Sequence, residues 1–265
     1  MVDVTAGGIR FHVQRLGSPT GLPPVVFIHG LVMDNLSSWF FTVANRVAQH
    51  TEVILYDLRG HGRSERPDSG YRVSDMVADL TNILNECGVA GPVRLVGNSF
   101  GGLLAIAFAL AYPERSAGLF LVDAHLSDEG FGAEMAGTLG LEGSERDAKI
   151  AENFKSWLGR HSERKRNRLA RSAEALVGGT TLVADLQSSA LFSEAALAAL
   201  PVPVVALYGE TSDIRGRGER LANQLQRCEL RILQGCTHSV LWEATDIVRD
   251  GIVDWSKAIV EGVTP

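Results

Sequence analysis

Cysteine is scarce in this chain: Cys87, Cys228 and Cys236 are the three in 265 residues. Their number is odd, they lie far apart, and no C-x-x-C pair occurs. A disulfide framework and the common zinc and dithiol motifs are thereby excluded. The expected setting is reduced and cytoplasmic. An excess of positive charge is also lacking, since 25 Lys and Arg stand against 31 Asp and Glu, a formal net charge of −6. General nucleic-acid binders tend to be basic, so no nucleic-acid partner is expected. Long hydrophobic runs are missing as well. The longest, Leu103 to Tyr112, falls far short of the roughly 20 residues that span a bilayer. The segment Met1-Val2-Asp3-Val4-Thr5-Ala6-Gly7-Gly8 has no basic stretch followed by an apolar one, so neither export nor a membrane partner is expected. There is no tandem repeat and no low-complexity tract. What remains, at 45% apolar and 21% charged, is globular composition with enough chain for a large α/β core.

Short β-branched runs alternate with amphipathic segments. Ile9 to Val13 alternates apolar and polar residues, which predicts a half-exposed edge strand. Val25–Ile28, Val53–Tyr56, Val93–Val96, Leu119–Val122 and Val204–Tyr208 are continuously apolar or nearly so, and Leu230–Leu233 is a more polar last run. Continuous apolar strands are expected where helices cover both faces of a sheet. Val73, Met76, Val77, Leu80, Leu84 and Cys87 fall on one helical face, with Ser74 or Asp75 as a start signal and Gly88 as a stop. Phe100 to Tyr112 predicts a buried helix ending before Pro113, and Ile247 to Ile259 an amphipathic one. The alternation predicts an α/β fold with a mostly parallel, doubly wound sheet. It breaks over residues 127–200, a helical and charged stretch. The expected organisation is a core of residues 1–126 and 201–265 with residues 127–200 as a helical cap, because so long a crossover needs structure of its own.

The chemistry concentrates at Gly97-Asn98-Ser99-Phe100-Gly101-Gly102. This G-x-S-x-G follows a predicted strand and opens a predicted helix, the context in which such a turn thrusts a serine hydroxyl above the sheet. Glycines on either side allow close backbone approach, and the helix start favours developing negative charge. Ser99 is therefore the candidate nucleophile. The competing reading is a Gly-rich turn whose serine caps a helix. A nucleophilic serine needs a base. His238, in Gly235-Cys236-Thr237-His238-Ser239, is the histidine that follows the last strand. An oxyanion needs donors, and the backbone N–H groups of Leu31, after His29-Gly30, and of Phe100 are the candidates. His29 itself reads as structural.

These motifs resemble the α/β-hydrolase superfamily over about Ile9 to Ile259. Tyr56-Asp57-Leu58-Arg59-Gly60-His61-Gly62-Arg63-Ser64 and Pro113-Glu114-Arg115 match as well. The resemblance implies that the Asp57–Ser64 loop is structural, with no catalytic role for Asp57 or His61. In most of the family the triad acid lies three residues beyond the glycine that ends the strand before it. Here that position is Ser212, with Asp213 one residue on; Asp123, after the preceding strand, is the other option. Both stay open, and Glu210 is a distant third. Relatives that dehalogenate alkanes or open epoxides carry aspartate at the elbow, so Ser99 argues against those activities.

The resulting expectation is a serine hydrolase cleaving a carboxylic ester or thioester without metal or organic cofactor. Gly30, Val32 and Trp242 are expected at the substrate, within an apolar setting that includes Met33, Trp39, Phe40, Phe131 and Trp157. The basic run Arg160 to Arg171 reads either as a solvated helix face or as a dock for a carrier-protein or coenzyme A thioester. Two rivals stand beside this reading. Gly97-Asn98-Ser99 also resembles the elbow of meta-cleavage-product hydrolases, which break carbon–carbon bonds, although Leu31-Val32-Met33 departs from their Gly-Pro-Gly pattern. The other is a non-catalytic ligand receptor on the same fold. Oligomeric state is open.

Overall fold

A computed structural model describes residues 2–141, 143, 145 and 162–258. The apolar runs assemble into one eight-stranded sheet of β1 (Val2–Ala6), β2 (Ile9–Leu16), β3 (Val25–Ile28), β4 (Val53–Tyr56), β5 (Val93–Asn98), β6 (Ser116–Val122), β7 (Val204–Gly209) and β8 (Cys228–Leu233). Their order is β1-β2-β4-β3-β5-β6-β7-β8. β2 runs antiparallel to both of its neighbours, and the other pairs are parallel. Every residue of β3, β4, β6 and β7 is buried, as the unbroken apolar runs require of strands covered on both faces.

One expectation needs correction. Ile9–Val13 belongs to an inner strand, because β1 pairs along it and takes the edge. Phe11, His12 and Val13 are all buried. Gly7 and Gly8, both at positive φ, make the two-residue turn between them, the backbone geometry that such hairpins demand.

Two cores lie on the two faces. On one, α1 (Val73–Glu86) and α2 (Phe100–Ala111) pack through Met76, Leu80, Leu84, Leu103 and Phe108. On the other, Trp39, Val43 and Val47 from the helical stretch Ser37–Val47 meet Val248 and Ile252 of the last helix. α1 starts at Val73, ahead of the expected caps. Asp75 stands inside its first turn and accepts the Arg72 N–H at 3.1 Å, while Gly88 at φ 73° ends it.

Between β6 and β7 the described residues form α3 (Phe131–Leu139), α4 (Glu163–Gly179), α5 (Leu182–Gln187) and α6 (Glu194–Ala198). Trp157, Arg160 and His161 lie outside the described residues. This segment is tied to the loop after β4. Asp185 accepts the N–H groups of Gly70 and Tyr71 at 3.2 and 2.8 Å, and the Thr181 N–H donates to Asp68 O at 2.9 Å. After β7 come α7 (Arg215–Gln224), α8 (Val240–Glu243) and α9 (Thr245–Lys257). Among the described residues no helix is long and apolar enough to cross a membrane.

The loop after β4 is itself clamped to α1. Arg59 lays Nε and Nη2 on the Asp79 carboxylate at 2.6 and 2.5 Å, and both residues are buried. Removing one member of a buried pair strands the other charge, at a cost of about 3–5 kcal/mol. Asp79→Ala should therefore lower the urea midpoint by that much stability at an unchanged slope. An unchanged midpoint would show that the pair contributes nothing.

Candidate active site

β5 ends at Asn98, α2 begins at Phe100, and Ser99 makes the whole turn at φ 53°, ψ −118°. Such backbone is strained for a residue with a side chain. The glycines make it possible. A Cβ on Gly97 would lie 2.3 Å from Gly101 O, one on Gly101 2.3 Å from Ile28 O, and one on Gly102 2.3 Å from the Ala124 Cβ. The turn is pinned to the end of β6. The Ser99 N–H donates to Val122 O at 2.9 Å, and Ser99 O accepts the His125 N–H at 3.1 Å.

His238 lies between β8 and α8. Its Nε2 is 3.0 Å from the Ser99 Oγ, and its Nδ1 is 2.6 Å from the Asp123 Oδ2. Asp123 directly follows β6, is fully buried, and carries a positive φ of 45°. Its carboxylate is satisfied on both oxygens: Oδ1 accepts the Gly209 N–H at 2.8 Å, and Oδ2 accepts the Ser212 hydroxyl at 2.6 Å. The hydrogen bond of the His238 Nδ1 thus goes to Asp123. Ser212, at the position after β7 where an acid was expected, donates to that acid instead. Asp213 acts on His238 through its charge. Glu210 is engaged elsewhere, accepting the Gly235 N–H at 2.9 Å. Burial works to lower the His238 pKa, but the hydrogen bond and charge of Asp123 outweigh it, and the net direction is upward from 6.5.

A cleft of about 30 Å³ opens at Ser99 and His238 and is lined by Gly30, Leu31, Met33, Asp34, Asn98 and Trp242 among others. Gly30, Leu31 and Trp242, expected at the substrate or as oxyanion donor, are among its lining residues. Val32 does not line it; its N–H is taken by His61 Nε2 at 2.7 Å. Phe100 and Trp39 are core side chains, and the Trp39 Nε1–H donates to Ile28 O at 3.0 Å. The Phe100 amide is the first of a helix and therefore without an intrahelical partner. Four lining residues, Asp34, Asn98, Ser239 and Leu241, escaped the sequence reading, although Asn98 adjoins Ser99.

His125 also escaped it. Its ring lies 5.5 Å from that of His238, edge to face, and its Nδ1 is 3.1 Å from the Arg217 Nη1. Arg217 is held by Asp128 at 3.2 Å and Glu134 at 2.6 Å. Burial first, then the charges of His238 and Arg217, hold the His125 pKa well below the usual value. The available signal was its place two residues after Asp123.

Residues 23–259 match the family model for the alpha/beta hydrolase fold. The chain belongs to that family. A 2-hydroxy-6-oxo-2,4-heptadienoate hydrolase of Pseudomonas putida is 38% identical over 124 residues, which are 46% of this chain and 43% of that one. A 2-(acetamidomethylene)succinate hydrolase of Mesorhizobium japonicum is 29% identical over 120 residues, 45% and 41% of the two chains. The chain thus spans less than half the length of these curated relatives. Two solved structures resemble it throughout. The enol-lactonase of Burkholderia xenovorans LB400 has a TM-score of 0.77 at 21% identity, covering 97% of this chain and 100% of that one. A thermophilic esterase of Thermogutta terrifontis has 0.78 at 23%, covering 96% and 97%. At these identities the likeness is one of fold.

In this α/β hydrolase the elbow glycines differ sharply from open ones such as Gly178. Gly101→Ala drives a Cβ into the carbonyl oxygens of Ile28 and His29, at 2.3 and 2.6 Å. Overpacking of this kind destabilises by about 1–3 kcal/mol. Gly178→Ala, in α4 with nothing within 4 Å, should instead gain up to about 1 kcal/mol from helix propensity. Thermal melts of the two variants should move in opposite directions; equal shifts would contradict the account of the turn.

Proposed function

We propose that this chain is a serine hydrolase that cleaves a carboxylic ester or thioester through an acyl-enzyme on Ser99. The observation that carries the reading is the continuous line from the Ser99 Oγ through His238 to the buried Asp123, at 3.0 and 2.6 Å. In this reading the His238 Nε2 takes the hydroxyl proton as the Ser99 Oγ bonds to the substrate carbonyl carbon. The amides of Leu31 and Phe100 receive the negative oxygen. The intermediate collapses as the His238 Nε2–H protonates the departing alcohol or thiol, and water deprotonated by His238 then releases the acid. Asp123 keeps the Nδ1–H tautomer and stabilises the imidazolium.

The segment 127–200 serves as a cap in this reading, since its described helices are tied to loops at the carboxyl ends of the strands. Arg164, Arg168 and Arg171 are exposed on α4, which supports a phosphate-bearing thiol, on coenzyme A or a carrier protein, as one leaving group. The second reading is carbon–carbon hydrolysis. It is favoured by the name of the Pseudomonas putida relative. The cleft argues for the ester: among the described residues its lining holds the carboxylate of Asp34 and no Lys or Arg to receive a dienoate.

Incubation with an alkyl fluorophosphonate should add one adduct to the wild type and none to Ser99→Ala, as read by intact mass. A panel of esters, acyl thioesters and a vinylogous diketo acid then separates the two reactions. Saturable ligand binding with neither adduct nor turnover would replace both by the receptor reading.

The acid can be tested separately. Asp123→Ala should lower kcat by about 10⁴-fold, with Asp213→Ala affecting it far less. A base must be neutral to act, and the His238 pKa is raised, so activity should fall on acidification with a midpoint above 6.5. Asp123→Asn should move that midpoint down. A larger loss at Asp213, or a midpoint below 6.5, would overturn the assignment.

A further inference from the structure

The loops after β3 and β4 hold each other by a reciprocal exchange. The His29 Nδ1 lies 2.6 Å from Gly30 O and so carries the proton, which leaves Nε2 to accept the Leu58 N–H at 3.0 Å. The His61 Nδ1 lies 2.7 Å from Arg59 O, and its Nε2 accepts the Val32 N–H at 2.7 Å. Each histidine is thus fixed as the neutral Nδ1–H tautomer by its partners, and each serves an amide of the opposite loop. Asp57 adds a third tie, taking the N–H groups of Leu36 and Arg63 at 2.8 Å each. All three side chains are buried. Burial, with His29 nearby, pushes the His61 pKa down to about 3, so it remains an acceptor.

These ties converge on one peptide. On one side of Leu31, the Gly30 N–H donates to the Asp34 Oδ2 at 2.8 Å, while the Asp34 Oδ1 takes the Asn35 N–H at 2.9 Å and the Ser38 hydroxyl. On the other side, Val32 is held by His61 at φ 65°, a conformation that a β-branched residue avoids. Both flanking amides are consumed. The Leu31 N–H has no hydrogen-bond partner among the described residues, and Leu31 lines the cleft together with Ser99. We infer that His61 and Asp34 are positioning residues for the oxyanion: by holding the amides on either side, they aim the Leu31 N–H at the carbonyl oxygen of a substrate on Ser99. The inference rests on the hydrolase reading.

The test uses p-nitrophenyl butyrate as substrate, an alkyl trifluoromethyl ketone as an analogue whose oxyanion occupies the same donors, and fluorophosphonate titration to count active sites. Per titrated site, His61→Ala and Asp34→Ala should each lower kcat about 10- to 100-fold with KM little changed. Ketone affinity should fall in proportion to kcat/KM. His61→Gln, whose amide oxygen can still accept the Val32 N–H, should recover most of the loss. A purely architectural role would lower melting temperature and site count while leaving per-site kcat and ketone affinity intact, and that result overturns the inference. If His61→Ala does not fold, Asp34→Ala, on the half-buried side of the loop, supplies the same readout. An active wild type with unaffected variants removes this inference alone. A wild type inert to both ester and fluorophosphonate removes the hydrolase reading and this inference with it.

Discussion

Among the described residues, three that are not glycine carry a positive φ: Val32 at 65°, Ser99 at 53° and Asp123 at 45°. Each such residue costs about 1–3 kcal/mol and persists only where its surroundings over-determine it. They stand in the loop after β3, in the turn between β5 and α2, and in the turn after β6. The ties that hold them interlock. The Ser99 N–H goes to Val122 O, the residue before Asp123, and the Asp123 N–H goes to Leu207 O. The site is therefore braced across β5, β6 and β7, and its geometry follows from sheet register as much as from any side chain.

The same logic explains how Asp123 is held. A carboxylate with no exposure is stable only if its oxygens are matched by donors. At Asp123 these come from the Gly209 amide, the Ser212 hydroxyl and His238. A serine at 212 supplies a donor where a second carboxylate would bring like charge to the same pocket. Asp213 stands one residue further on, and its charge acts on His238 from there.

Much of this was legible in the residues. Unbroken apolar runs gave the covered strands because period and burial are coupled directly. Gly97, Ser99 and Gly101 marked the turn because only small residues tolerate its backbone contacts. The choice between Asp123 and Asp213 was not legible, since it depends on how two loops from different strands approach one histidine. β1 was missed because Val2–Ala6 is short and half polar, although Gly7-Gly8 carried the hairpin signal. Val32 was expected at the substrate but is not among the cleft lining residues, because spacing in a loop does not reveal which way an amide or side chain turns. His61 read as structural, but its partner Val32, 29 residues away, could not be named from the sequence.

His125 shows how charge is managed beside His238. When His238 becomes an imidazolium, a second cation at 5.5 Å would oppose it by about 3 kcal/mol at an effective dielectric of 20. Arg217 guards against this. Its guanidinium only donates, so the His125 Nδ1 facing it must present a lone pair. Its own charge is met by Asp128 and Glu134. Those two carboxylates belong to the segment between β6 and β7. The ion pairs that orient Arg217 towards His125 are therefore also the ones that fasten that segment to α7.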